Sequence, residues 1–332
     1  MSAKQLAVKF FMPVYSYFKR NIATIIGLVI MCLFVSLISP KFFSWSNFTN
    51  VCRQISTNCF IACGMTFCIL IGGIDLSVGP VLAFAGALSA FLMETTTLPI
   101  WFVIIITISL CSLVGLFNGI VIAETEIAPF IVTLSTQQIV RGFALLLGTG
   151  MPIYILNEDF INIGVAKLGD FSLPVYYAGV FFILCCILLN KTKFGRCIYA
   201  IGGNRTAARF AGINVKSKEI MVYTLSSFLA GIAGIVLAAR LSCGNPSTGE
   251  GYECDAIAAV VLGGASFSGG VGTLGGTLLG CFMIGIINNG MNMLNVTSFW
   301  QNVAKGLVIL AAVMLDVIRK KNSEKRILQA KT

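Results

Sequence analysis

The sequence predicts an all-α, polytopic membrane protein with about ten transmembrane helices, some broken or re-entrant, and both termini cytoplasmic. Three observations predict it. Of 332 residues, 57% are hydrophobic and only 11% charged, where a soluble domain carries about 25% charge; the mean hydropathy is +0.91. Hydrophobic stretches recur along the whole chain at the length of about 20 residues that a helix needs to cross a bilayer. The basic residues are also gathered rather than spread. Lys4, Lys9, Lys19 and Arg20, seven Lys/Arg between Lys191 and Lys218, and Arg319, Lys320, Lys321, Lys325, Arg326 and Lys331 make up 17 of the 23.

Taken in order, the spans fall at 22–39, 55–72, 76–93, 100–122, 129–147, 174–189, 220–239, 256–267, 274–294 and 299–317. The run at 22–39 is too long for a cleavable signal, and SPKFFS after it has no small-residue cleavage site, so the first span is expected to stay in the membrane. The third is weakened by Pro80 and several glycines, and the eighth is short and runs into glycines, so it reads as a half-helix. Around a membrane domain at 22–318, the chain divides into a cytoplasmic N-terminal segment at 1–21, a basic loop at 191–218 and a cytoplasmic tail at 319–332. An even number of spans puts all three basic segments on one face, which the positive-inside rule makes cytoplasmic. The opposite loops carry Glu158, Asp159, Asp170, Glu250, Glu253 and Asp255; Glu124 and Glu126 fall on the inside as a misfit.

Composition removes several classes of chemistry. The chain has no histidine, which excludes most zinc sites, Ser-His and Cys-His nucleophiles and histidine proton relays. The net charge of +10 does not point to nucleic acid, because the basic residues sit between hydrophobic runs. Cys59, Cys63, Cys68, Cys111, Cys185, Cys186 and Cys281 lie inside apolar runs, where a thiol is a small filler. Cys243 and Cys254, together in an external loop, are expected to be free thiols.

Two glycine-rich segments echo each other: Gly72, Gly73, Ser77 and Gly79 match Gly263, Gly264, Ser268 and Gly270 at constant offset, and Asn118-Gly119 echoes Asn289-Gly290. Such repeats occur in transporters whose broken helices meet near the midplane. Asp75 stands where it would cap a helix beginning at Leu76. Polar side chains interrupt the other spans, among them Asn118, Thr133, Gln137, Asn288, Asn289 and Gln301. Polar groups at depth usually face a bundle interior or a cavity, and amides offer the paired donor and acceptor that a sugar hydroxyl needs. Asp75, Asn118, Thr133, Gln137, Asn288, Asn289 and Gln301 are therefore the candidate translocation path, while Arg141 and Lys305 are expected to snorkel to an interface.

No phosphate-binding loop occurs, and no buried acidic chain suggests proton coupling, so energy must come from a partner or transport is passive. The basic loop holds seven Lys/Arg and no acid within 28 residues. Asn204 is placed to cap a short helix at 205–211, and Gly212 to end it. Ala207, Ala208 and Ala211 would give that helix a low-relief face for a partner's groove. On the residues alone, an ATP-independent channel or secondary carrier for small polar solutes stays open. So does a Ser-Lys intramembrane enzyme built on GASFSGG and Lys305.

Several strings taken together resemble the ribose-type permeases of ABC sugar importers. They are ILIGGIDLSVG, APFIVTLSTQQIVRG, FGRCIYAIGGNRTAARFAGINV, GEGYECDAIAAVVLGGASFSGGVGT, INNGMNML and SFWQNVAKGLVILAAVMLD, in the family's order from about Lys41 onward. Cys254 departs from the apolar residue expected between Glu253 and Asp255. The resemblance implies a permease subunit, without cofactor, that pairs in the membrane with a second copy or a paralogue. An ATP-binding subunit would dock on the cytoplasmic side, and an extracytoplasmic binding protein would deliver ribose or a related aldose. It also implies that Gly203, Asn204, Ala207, Ala208, Ala211 and Gly212 lie on the loop that contacts the ATPase.

Overall fold

The computed structural model describes residues 22, 24–37, 39–125 and 127–329, with side chains except those of 312 and 315–329. The N-terminal segment 1–21, Glu126 and the basic side chains of the tail lie outside the described residues.

Thirteen helices occur in the described residues. They are α1 (Thr24–Leu37), α2 (Trp45–Leu70), α3 (Val78–Thr95), α4 (Ile100–Thr125), α5 (Pro129–Leu147), α6 (Glu158–Val165) and α7 (Leu173–Lys191), then α8 (Lys193–Gly203), α9 (Arg205–Phe210), α10 (Val215–Leu241), α11 (Tyr252–Leu262), α12 (Leu274–Met293) and α13 (Ser298–Gln329). Six of these are long and apolar enough to cross a membrane: α3, α4, α5, α7, α10 and α12. Two small antiparallel pairs join β1 (Ile153–Tyr154) to β4 (Cys243–Gly244) and β2 (Lys167–Leu168) to β3 (Phe171–Ser172).

Burial sorts the spans into an inner and an outer set. The apolar windows of α10 and α3 are 72% and 67% buried, whereas those of α4 and α7 are 22% buried and turn Phe102, Phe117, Ile183 and Leu184 outward. α10 is the centre post, packed against α2, α3 and α4. Helices that are apolar all round can sit inside such a bundle or face lipid.

Most spans match the sequence expectation, and the differences have local causes. α5 has the expected limits and α12 ends one residue early. α2 starts at Trp45 rather than 55, because Ser44 accepts a hydrogen bond from Asn47 N (3.3 Å) and starts the helix before the hydrophobic run. α10 likewise starts at Val215, where Asn214 accepts from Ser217 N (3.0 Å). Pro80 does not break α3, since it lies in the first turn, where no backbone N–H is needed. The eighth candidate span is a helix of only 11 residues. α6 was not foreseen; Asn157 caps it, and Glu158 and Asp159 sit in its first turn. Cys243 and Cys254 are free thiols.

The glycine echo is real in the backbone but shifted by one residue. After α2, Gly72 turns left-handed (φ +80°), Gly72 N donates to Ile69 O (2.9 Å) and Gly73 N to Cys68 O (2.8 Å). After α11, Gly264 does the same (φ +89°), with Gly264 N to Val261 O (2.8 Å) and Ala265 N to Val260 O (3.1 Å). Both are the same helix-ending turn. Gly72 thus corresponds to Gly264 rather than Gly263, because Ile71 and Gly263 are the respective caps.

Candidate functional site

Three groups of residues stand out, and the first is a closed polar cluster where α3 begins. Ser77 Oγ donates to Asp75 Oδ1 (2.6 Å), and Ser77 N donates to the same oxygen (3.1 Å). Asn118 Nδ2 on α4 donates to Ser77 Oγ (3.0 Å), and Thr136 Oγ1 on α5 donates to Asn118 Oδ1 (2.6 Å). Thr133 Oγ1 donates to Ile74 O (3.2 Å). Asp75, Ser77, Asn118, Thr133 and Thr136 are all buried. Asp75 does not cap a helix at Leu76 as expected. The helix starts at Val78, and Asp75 instead closes a turn onto Ser77, which fixes the irregular backbone between α2 and α3.

The second group is a polar cavity of about 250 Å³ among α2, α11, α12 and α13, lined by Asn58, Tyr252, Asp255, Asn288, Gln301 and Lys305 and flanked by Arg240 and Gln54. Lys305 is partly buried and paired. Its ammonium pairs with Asp255 Oδ2 at 2.9 Å, the lysine side chain 22% and the aspartate 7% exposed. Gln301 Nε2 donates to Asn292 Oδ1 (2.8 Å) and Val296 O (2.9 Å). Of the expected path residues, Asn288 and Gln301 line this cavity. Asn289 is buried beside it, exchanging hydrogen bonds with Asn47 (3.1 and 2.9 Å), and Gln137 is half-buried on α5. Sequence reading missed Asn58 and Asp255 as cavity residues. Asn58 lies in the first half of a span otherwise read as apolar, and Asp255 stands next to a loop. Arg141 is also buried deeper than expected, donating to Pro246 O (2.5 Å) and Thr248 O (2.9 Å) and so holding the non-helical segment between α10 and α11.

The third group is the basic loop, which folds as two helices rather than one. α8 was hidden by Gly195, Gly202 and Gly203, which lower helix propensity, yet Phe194, Ile198 and Ile201 share its buried face. α9 is capped by Asn204 (Ala207 N to Oδ1, 2.9 Å), and Gly212 at φ +80° follows its end, as expected. Gly203, Asn204, Ala207, Ala211 and Gly212 are exposed, but Ala208 is not, because it packs with Ile201 and Val215. The most exposed apolar group of α9 is Phe210, at 88%. Arg205 donates to Glu219 (2.9 Å), tying α9 to the foot of α10. Lys216 pairs with Glu124 at 2.6 Å, so the acidic misfit lies on the same face as the basic loop.

These parts touch through a glycine junction. Gly270 N donates to Leu70 O (2.8 Å), joining the two helix breaks. Gly202, at the end of α8, is wedged into that contact: a Cβ there would lie 1.8 Å from Leu70 O and 2.3 Å from Gly270 N. Tyr199 Oη on α8 donates to Gly272 O (2.8 Å). The exposed loop is therefore in direct backbone contact with both breaks.

Residues 47–314 match the family described as branched-chain amino acid transport system, permease component. The chain is 43% identical over 295 residues to the ribose import permease protein of Haemophilus influenzae, covering 88% of this chain and 91% of that one. It is 44% identical over 306 residues to the ribose import permease protein of Bacillus subtilis (92% and 94%). It is 39% identical over 282 residues to an L-arabinose transport system permease protein of Escherichia coli (85% and 86%). No solved structure matches. A family match across nearly all the described membrane helices, with relatives aligned end to end at about two identical residues in five, places this chain in the branched-chain amino acid transport system permease component family.

Proposed function

We infer that the chain is the permease subunit of an ATP-driven importer that carries a monosaccharide, ribose or a related aldose, across the cytoplasmic membrane. The permease relatives are named for ribose and L-arabinose import, and ATP hydrolysis belongs to a separate subunit. The observation that carries the mechanism is the glycine junction. Next to the exposed docking residues, Gly202 near the end of α8 is seated between the two helix breaks, so a push on α8 and α9 reaches the membrane interior without intervening flexible chain. Coupling of this kind requires an element whose contacts differ in two states.

In this reading ten spans cross or enter the membrane, α11 as the half-span, with both termini cytoplasmic. The Lys216–Glu124 pair supports that orientation by keeping both partners with the basic loop. Asn204 and Gly212 set the ends of α9, while Gly203 at the end of α8 and Ala207 and Ala211 along α9 face the ATP-binding subunit; Ala208 anchors the helix to the chain. Phe210, exposed beside the alanines on the same short helix, joins them as an apolar anchor. The path runs past Asn288 and Gln301, with Asn289 and Gln137 beside it. Asp75, Asn118 and Thr133 hold the start of α3 that must shift when the path opens. A second copy or a paralogue completes the membrane unit, and an extracytoplasmic binding protein supplies the sugar.

Uptake of radiolabelled ribose into proteoliposomes tests the reading. Uptake that needs ATP, the ATP-binding subunit and the binding protein is expected. Equal uptake by the chain alone would make it a passive carrier.

A further inference from the structure

Several polar atoms in the cavity lack partners, and they are of one kind. Asp255 is 5% exposed; its Oδ2 is held by Lys305 and the Asn288 amide lies beside the carboxylate, but its Oδ1 makes no hydrogen bond of good geometry. Asn58 Oδ1 and Asn288 Oδ1 are also buried without partners. All three residues line the same cavity, and all three atoms are acceptors that cannot donate. Leaving such groups buried and unpaired is costly, more so for a charged group. A ligand that satisfies them must bring at least as many donors, closely spaced.

Charge and size narrow the ligand. Lys305 neutralises Asp255, and Arg240 leaves the cavity wall with one further positive charge. A cation is thus disfavoured, while an anion without hydrogens has nothing to donate to Asn58, Asp255 and Asn288. A neutral polyol suits both conditions, since each hydroxyl donates once and accepts from Arg240, Gln54 or Lys305 in return. A volume of about 250 Å³ leaves room for a single sugar ring. Tyr252 adds an aromatic ring to the lining.

We propose that this cavity is a binding site, within a single permease chain, for one neutral monosaccharide whose adjacent ring hydroxyls donate to Asn58, Asp255 and Asn288. The proposal deepens the sugar-import reading and rests on it. The chain then does more than open a gap between subunits: it holds the sugar in transit and selects for hydroxyl donors.

The test is equilibrium binding of tritiated ribose to the purified full chain in lipid nanodiscs, without ATP-binding subunit or binding protein. Saturable binding is expected, displaced by ribose and arabinose and not by inorganic phosphate or ammonium. Deoxyribose should compete about fivefold more weakly, the effect of one hydrogen bond. Asn58→Ala and Asn288→Ala should each weaken ribose binding by about the same factor, with monodispersity on size exclusion showing that they fold. Absence of saturable binding overturns the proposal. So does equal competition by ribose and deoxyribose, a result that stands even if the variants aggregate. Uptake by the assembled transporter separates the two readings. If the wild type imports ribose and Asn58→Ala and Asn288→Ala import it equally fast, the site falls and the importer stands. If the isolated chain binds sugar but the assembled transporter imports none, the importer reading falls instead.

Discussion

The chain buries two polar clusters of similar composition, and they have opposite balances of donors and acceptors. At the start of α3, Asp75, Ser77, Asn118 and Thr136 form an unbroken hydrogen-bonded series. The atoms left over there are Asp75 Oδ2 and the hydroxyls of Tyr223 and Ser226, an acceptor beside groups that can turn to donate. In the cavity the leftovers are all acceptors: Asn58 Oδ1, Asp255 Oδ1 and Asn288 Oδ1. A cluster that can close on itself holds the fold; one that cannot is shaped for something else. Polarity inside an apolar bundle does not by itself distinguish them.

The largest expected effect comes from leaving the cavity's carboxylate alone. Lys305→Ala strands Asp255, whose side chain is 7% exposed. Breaking a buried pair costs about 3–5 kcal/mol; the partial exposure of Lys305 places this one at about 3. Thermal unfolding of the detergent-solubilised variant should show a large fall in Tm. Adding Asp255→Asn should restore most of the Tm and leave ribose uptake impaired. A double variant as unstable as Lys305→Ala would mean that the pair's worth lies in packing rather than charge.

Next is the closed cluster. Asn118→Ala removes the acceptor of Thr136 and the donor to Ser77, and an unsatisfied buried group costs about 1–3 kcal/mol. A Tm unchanged by this substitution would break the comparison, because the cluster would then not be holding the start of α3.

How far the sequence reveals this division depends on what each residue signals. Span positions are legible because hydrophobic runs mark the lipid-crossing stretch, and α5 and α12 follow them closely. Helix ends set by caps outside those runs, such as Ser44 and Asn214, shift the limits of α2 and α10. Asn204 and Gly212 are legible since capping and a left-handed turn are local demands. The polar residues are visible individually, but their partners are not. Asn118 and Asn288 look alike as amides in apolar spans, and only the fold puts one against Ser77 and Thr136 and the other on a cavity. Asp255, read as a loop charge, shows the same limit: only the fold puts it on the cavity wall with Asn288.

Phe210→Ala is the control outside both clusters. With 88% of the residue exposed, its removal should leave Tm unchanged and sharply lower ribose uptake and ribose-stimulated ATP hydrolysis in the assembled transporter. Full activity would show that α9 docks through backbone and alanine contacts alone.

The smallest expected effect on stability is the one that separates the clusters most cleanly. Asn58 faces the cavity with an acceptor that no neighbour satisfies, so trimming it to alanine removes an unpaired group rather than a bond. The stability change should stay within about 0.5 kcal/mol, in the range of substitutions that break no packed or bonded feature, while uptake falls several-fold. Asn118→Ala should do the reverse per folded molecule, with a large loss of Tm and a smaller loss of transport. If Asn58→Ala destabilises the chain as much as Asn118→Ala does, its amide is part of the fold, and the cavity is another closed cluster with its partners arranged less directly.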